Sequence, residues 1–582
     1  MDYHYIILVG DESLENHAHA LAVPDAALCS AGMQCRFSST SIRIFTSSDT
    51  PTQSIPGQGL IIGQVFTKDG RPIANAQPFE HETGEIAGHL LQNHWGEYLA
   101  FQVGEGGRGP TLLRDPSGGV PCVYSIENGT GFITSDISLA IELGLYRRQV
   151  DWRAITHGLN FPYLRTERTA LLGVSELLPG CVLHCRGANI SVKTAWSPWK
   201  FVGQNTRHSD PRAAAADVRT AVSTVVKTLA AVDDRFLVQL SGGLDSSIVA
   251  ACLREASDRA IFCSLVMPVA GTDERPYAKL VTDSLSRELV SVQVGFENVR
   301  FDFPTPPSSV VPAIGVLHHA TNQVWEAAGS KYGADSFFSG SGGDTVFCYL
   351  RTAAPATDAF RERGPRAGIA AIRDISALHQ CTVWKAGRLG LKKLWHQPQT
   401  MWKADSTLLN PSRLAMTHEI HPWMDAPPDA LPGDREKIYD LIGTQLYRHA
   451  RPRGASRSVR YPLLSQPVME ACLKVPTWMW ISDGQNRAIA RAAFSGILPD
   501  GIRDRRSKGS YTGYLAAVYA RNKAKIREFL EDGQLCAHDL LDRAALAKFF
   551  SSELAPRDQS FLRTFDLCTA ENWLRGQAQT PP

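Results

Sequence analysis

Apolar residues along this chain follow two rhythms, and the change between them falls near residue 200. Residues 1 to about 195 carry short apolar stretches separated by turn signals, as in YHYIILVG at the start, GLIIGQVF around Ile61 and EYLAFQVG from Glu97. That spacing predicts strands in a sandwich or layered sheet. The segment TLLRDPSGGVPCVYSIENGTGFITSDISLAIELG reads strand, turn, strand, turn, strand, helix, with turns at Asp115-Pro116-Ser117-Gly118 and Asn128-Gly129. Residues from about 187 to 213 are polar and rich in Pro and Gly, and predict a linker. Beyond them Val218, Val222, Val225 and Leu229 recur at helical spacing. The last third is mostly helical in pattern, in segments such as MEACLKV, NRAIARAAF and YLAAVYARNKAKIREFL.

The stretch from Arg235 to Leu253, RFLVQLSGGLDSSIVAACL, organises the second part. Phe236, Leu237, Val238 and Leu240 are apolar on both faces and predict a short buried parallel strand. Ser241, Gly242 and Gly243 form a loop in which backbone N–H groups can approach an anion without interference from a Cβ. From Asp245 onward, Ser246, Ser247 and the run Ile248 to Leu253 open a helix whose first turn favours a phosphate. A similar pattern recurs about 100 residues later in ADSFFSGSGGDTVFCYL, where a strand ends in Ser339, Gly340, Ser341, Gly342 and Gly343 and then offers Asp344. Two carboxylates converging on one triphosphate suit magnesium, which takes few protein carboxylates and several phosphate oxygens. The paired loops therefore predict a triphosphate and Mg2+ site with Asp245 and Asp344 as metal ligands. Ser241, Gly242, Gly243, Ser246, Ser247, Gly342 and Gly343 complete the nucleotide cradle.

Composition narrows the class. The chain has 582 residues, 43% apolar and 20% charged, and a net charge of +2, so two or more globular domains are expected and no nucleic-acid partner is implied. The dense basic cluster is Arg503 to Lys508. Its 12 cysteines show no CxxC or zinc-like spacing and read as buried free thiols of a cytoplasmic protein. No apolar run reaches membrane-spanning or signal-peptide length.

SGGLDSS resembles the pyrophosphate-loop (PP-loop) signature of ATP pyrophosphatases, and the chain as a whole resembles the asparagine synthetase superfamily. Arg114, Asp115, Gly118, Ser135 and Asp136 match scaffold positions of that family's glutamine amidotransferase domain. The resemblance implies an α/β protein in two parts. Residues 1–195 would form a layered, β-rich domain of the glutaminase (Ntn) type, and residues 212–582 an ATP pyrophosphatase domain with helical additions. Position 2 is Asp2 and no cysteine precedes Cys29, so the thiolate that glutamine hydrolysis needs is missing and the first domain reads as degenerate. The second motif departs as well: Ser341 stands where the family has a catalytic Glu or Tyr. Asp374 is either its substitute or a solvated helix acid. Asp273 and Glu274 either favour a helix dipole or pack beside the ATP loop, and Arg460 either faces an anion or is a buried structural arginine. By resemblance, Arg487 and Arg491 take the places of two cations of the family's C-terminal helix, and Lys508 that of its loop lysine. Arg487 and Lys508, with Asp245 and Asp344, are then the catalytic set, Lys508 stabilising the oxyanion.

Without a glutaminase the amine belongs to the substrate or is free ammonia. Among relatives with a degraded glutaminase, the chain looks most like the lasso peptide cyclases, macrolactam synthetases that join an Asp or Glu side chain of a core peptide to its own N-terminal amine. This implies a ribosomal precursor peptide as substrate, with a leader peptidase and a leader-binding element as partners. A β-lactam synthetase, an ammonia-dependent asparagine synthetase-like enzyme and an inactive ATP-binding scaffold stand as alternatives.

Overall fold

The computed structural model describes residues 3–10, 23–55, 59–73, 86–104, 109–395, 402–414, 418–449, 457–506, 509, 511–555 and 557–579. Asp2 and Lys508 lie outside the described residues.

The first part is a four-layer stack. One six-stranded antiparallel sheet has the order Ser175–Glu176, Val123–Glu127, Thr130–Thr134, Tyr5–Val9, Ile42–Ser47, Met33–Ser38. The second has the order Asn189–Thr194, Cys181–Arg186, Thr111–Arg114, His94–Gln102, Gly59–Thr67, Thr52–Ile55. Alternation along each strand sends Ile7, Ile44, Leu60, Ile62, Leu99 and Phe101 into one core between the sheets. The opposite faces are apolar too: Ile6, Leu8 and Phe45 pack into a core shared with the helices Ile137–Glu142 and Trp152–Asn160. Ile61, Tyr98 and Ala100 pack under the helix Ile86–Asn93. Strands buried on both faces explain why the apolar runs here are nearly continuous. Cys181 and Cys185 share the inner face with Leu183.

The segment expected as a linker is instead packed structure. Asn189–Thr194 is an edge strand paired with Cys181–Arg186. Trp196 donates through Nε1 to Glu470 at 2.9 Å, and Trp199 through Nε1 to the Trp423 carbonyl at 2.8 Å. Two buried tryptophans fasten the crossover to the second part, and a composition rich in Pro, Gly and polar residues did not reveal them.

The second part is built on a five-stranded parallel sheet in the order Leu289–Gln293, Ala260–Val266, Phe236–Gln239, Ser336–Ser339, Ser458–Arg460. Phe236, Val238 and Phe338 face the helices Pro211–Val232 and Leu244–Cys252, while Leu237, Ile261 and Phe337 face the helix Val316–Tyr332. Helices cover both faces, as a parallel sheet requires. The chain leaves Phe236–Gln239 for the neighbour on one side and later returns on the other. The point where the strand order reverses therefore lies between Phe236–Gln239 and Ser336–Ser339. No helix among the described residues is long and apolar enough to cross a membrane.

The two parts are joined by a buried ionic cluster. Arg460 Nη2 lies 3.1 Å from Asp233 Oδ1, and its Nη1 lies 3.4 Å from Glu97 Oε2 and 3.2 Å from Gln64 Oε1. Glu97 also meets Arg448 at 3.1 Å and accepts from Tyr3 at 3.4 Å. Arg460 is therefore a structural arginine, and the reading in which it faces a substrate anion is set aside.

Candidate functional site

Ligands of open parallel sheets sit beyond the carboxyl ends of the strands where the strand order reverses. Both glycine loops emerge at that position. The first runs through Ser241 to Gly243 into the helix Leu244–Cys252, and the second from Ser339 to the short helix Gly343–Val346. The loops touch. A Cβ on Gly340 would fall 2.6 Å from the Ser246 nitrogen, and one on Gly343 would fall 2.4 Å from the Asp245 Cβ. Glycine at these two positions lets the backbones close up and brings Asp245 and Asp344 to one place.

The first loop is held open by its own hydroxyls. Ser241 N donates to Ser246 Oγ at 3.2 Å, and Ser246 Oγ donates to the Gly243 carbonyl at 3.3 Å. The N-cap of the helix that follows, Gly243, has no side chain to cap it, and the helix start favours an anion through its dipole. Ser247, expected as a phosphate ligand, is wholly buried with its hydroxyl closed off from solvent.

Arg487 joins the two aspartates. Its Nη1 lies 3.0 Å from each Asp245 carboxylate oxygen and 2.7 Å from Asp344 Oδ1, and its guanidinium stands 5.2 Å from the Tyr349 ring centre. Arg487 adopts φ +55° at the start of the helix Ala488–Ala493, a left-handed conformation that costs energy in a residue with a Cβ. Asp245 and Arg487 are buried, whereas half of the Asp344 side chain faces solvent. The pair thus already gathers one positive charge between two carboxylates. Among the described residues no group of three or more His, Cys, Asp or Glu could hold a metal alone. Two carboxylates beside a phosphate cradle are nevertheless a donor set that fits magnesium arriving with a nucleotide. The residues present fit a nucleotide, and they fit Mg2+ once Arg487 Nη1 leaves its position between the two carboxylates.

Glu274 is fixed to the site, which decides between its two readings. Arg505 donates to both of its carboxylate oxygens at 2.6 and 2.7 Å, and the Gly509 N–H donates to it at 2.7 Å. Arg505 also donates to the Gly242 carbonyl at 3.0 Å and lies 3.4 Å from the Tyr277 ring centre. The basic segment after Leu498 is thereby clamped onto the first glycine loop. Replacing Glu274 with Gln is expected to raise KM for ATP by about tenfold or more, the worth of one charge-assisted clamp, with a smaller change in kcat. Steady-state kinetics of pyrophosphate release measure both constants.

Arg491 is committed elsewhere. Its guanidinium donates to the backbone carbonyls of Asn486, Arg503 and Arg505, and burial, followed by the neighbouring Arg487 charge, brings it down to about 10. It shapes the clamp and does not reach the carboxylate pair as a second cation. Ser341 Oγ lies 2.9 Å from Ser339 Oγ, inside its own loop. Asp374 accepts from the Gly484 N–H at 3.3 Å and belongs to the packing of that turn, so it is not the acid–base substitute.

A cavity of about 970 Å³ opens beside Thr345, the residue after Asp344, and runs between the two parts of the molecule. Ile155, Leu159 and Leu164 line one side, and Asp440, Thr444 and Tyr447 the other. Thr345 Oγ1 and Thr444 Oγ1 lie 2.6 Å apart, tying the second glycine loop to the helix Pro432–Thr444. Asp440, one turn earlier on that helix, is pushed up to about 6 by burial, with Glu436 adding to it. Asp566 across the cavity is also pushed up to about 6 by burial. Neither was singled out from the sequence, because a lone Asp in a helical run carries no local signal.

A family model described as asparagine synthase matches residues 217–575. No curated protein matches the chain. Among solved structures, one described as the allosteric regulatory enzyme of purine biosynthesis shares 10% identity, covering 58% of this chain and 83% of that one, with a TM-score of 0.20. Glutamine phosphoribosylpyrophosphate amidotransferase from B. subtilis, complexed with ADP and GMP, shares 10% identity over 58% of this chain and 84% of that one, with a TM-score of 0.19. Scores this low do not bear on the fold.

Proposed function

Because the chain belongs to the asparagine synthase family, we propose that it forms an amide bond by adenylating a carboxylate, and that its substrate is a peptide whose own amine closes a macrolactam. The carrying observation is the convergence of Asp245 and Asp344, from two touching glycine loops, on the Arg487 guanidinium, with Thr345, the residue after Asp344, lining an interdomain cavity. ATP-dependent amide formation follows from the family. The lasso peptide cyclase reading rests on Ser341 in the second loop, on the length of the chain and on the likeness of the segment PLLSQPVMEA to those cyclases.

In this reading the first-loop backbone and the helix start would hold the phosphates, and Asp245 and Asp344 would hold magnesium, which would supply positive charge against the leaving pyrophosphate. Arg487, whose Nη1 lies between the two carboxylates, would give up that place to the metal and stay beside it as a second positive charge. Lys508 is proposed, on the family resemblance alone, to stabilise the oxyanion of the acyl-transfer step. The cavity holds the acyl group and the amine together, replacing a slow encounter. Asp440 takes the proton that the attacking amine loses. It is a base only when ionised, so kcat is expected to rise as pH passes upward through about 6. Asp440→Asn should flatten that limb, and a pH profile of pyrophosphate release for both proteins checks it.

The function is tested by incubating the protein with ATP, Mg2+ and a candidate precursor peptide carrying an acidic residue in its core. Loss of one water from the peptide, with AMP and pyrophosphate formed in equal amounts, is the expected result. Asparagine made from aspartate and ammonia would replace the macrolactam reading with that of a small-molecule synthetase.

A further inference from the structure

The three consecutive helices Ala354–Arg363, Pro365–Leu378 and Val383–Trp395 form a unit packed at one side of the parallel-sheet domain. Residues 354–395 contain eight Lys and Arg against three Asp and Glu, a charge of +5 in a chain that totals +2. All three acids turn inward. Asp358 is wholly buried and accepts from the Gly433 N–H at 3.0 Å and from Thr477 at 2.5 Å. Glu362 pairs with Arg207 at 2.5 Å and accepts from Trp478 at 2.6 Å, and Asp374 accepts from Gly484. Lys393 pairs with Glu436, and the other seven cations of the unit are exposed.

The last helix presents a mixed outward face. Ala386 and Gly390 are its buried positions, so the side chains half a turn away point outward. Trp384 is 89% exposed, with Val383 at 50%, Leu389 at 45% and Leu391 at 50%. Lys385, Arg388 and Lys392 stand exposed among them. Gly387 abuts Ile372 of the neighbouring helix, which adds Ile369, 52% exposed, and the exposed Arg366 and Arg373.

We infer that this face binds an anionic phospholipid surface, lying on it without crossing it. Tryptophan and aliphatic side chains entering at headgroup depth between lysines and arginines are the chemistry of an interfacial helix. The exposed aliphatic residues separate lipid from the other polyanions, because a nucleic-acid backbone offers them nothing apolar. A protein interface core is depleted of lysine, whereas here Lys385 and Lys392 flank the apolar residues.

The test uses the full chain, sedimented with phosphatidylcholine vesicles and with vesicles in which a third of the lipid is phosphatidylserine. Binding to the anionic vesicles alone, weakened by salt, is expected. Charge reversal at Arg388→Glu with Lys392→Glu should weaken it at least tenfold, and Trp384→Ala with Leu391→Ala should weaken it without changing its salt dependence. ATP turnover in solution, whose residues lie elsewhere, should stay the same and reports that the variants fold. Equal binding to both vesicle types, no binding, variants that bind as well as the parent, or retention by nucleic acid or an acidic protein in place of vesicles would overturn the inference.

Discussion

Asp344→Asn is expected to lower kcat/KM for ATP-dependent amide formation by about a thousandfold or more, since a neutral amide cannot share with Asp245 the cation that would offset charge on a leaving pyrophosphate. The same change should leave folding nearly intact. Half of the Asp344 side chain faces solvent, and Arg487 keeps both oxygens of Asp245 within 3.0 Å. Pyrophosphate release and the thermal midpoint, measured side by side, separate the two effects. Turnover within tenfold of the parent would remove Asp344 from the metal pair and leave Arg487 as the partner that defines the site. A large fall in midpoint would instead make the aspartate a structural anchor of the second loop.

Arg460→Met is expected to act in the opposite sense, on stability first. Arg460 is 2% exposed and sits among Asp233, Glu97 and Gln64, residues contributed by both parts of the molecule. Against the cost of its burial, Tyr3, then Asp233 and Glu97, hold the guanidinium above the ordinary arginine range. Methionine fills similar volume but leaves Asp233 and Glu97 buried beside one positive charge fewer. Breaking such a cluster costs about 3–5 kcal/mol. Urea unfolding followed by far-ultraviolet circular dichroism measures the loss. The double variant Arg460→Met with Asp233→Asn should recover part of it, which distinguishes an unpaired charge from a simple packing defect.

Both glycine loops, the strands before them and the helix at Leu244 were legible because each is a local event. An apolar run, a glycine turn and a helix start lie within about a dozen residues, and short-range sterics fix them. Strand positions in the first part were legible for the same reason, with the Asn128-Gly129 turn adopting φ of 50° and 78° between two paired strands. The crossover from 189 to 201 was not, because Trp196 and Trp199 are buried by partners at Glu470 and Trp423 that composition cannot supply.

Sequence alone thus determined the chemistry on offer: two carboxylates, each behind a glycine loop, in a chain with no dense array of metal ligands. Tertiary structure decided what surrounds them. Arg487 reaches Asp245 across 242 positions, Arg505 reaches Glu274 across 231 and Arg460 reaches Asp233 across 227. Whether an arginine meets a carboxylate, a backbone carbonyl or a substrate depends on which elements the sheet brings side by side. Charge and residue type are the same in all three cases. Arg491 is spent on the clamp, Arg460 on the joint between domains and Arg487 on the aspartate pair, because burial forces each guanidinium to take the acceptors its own neighbourhood provides.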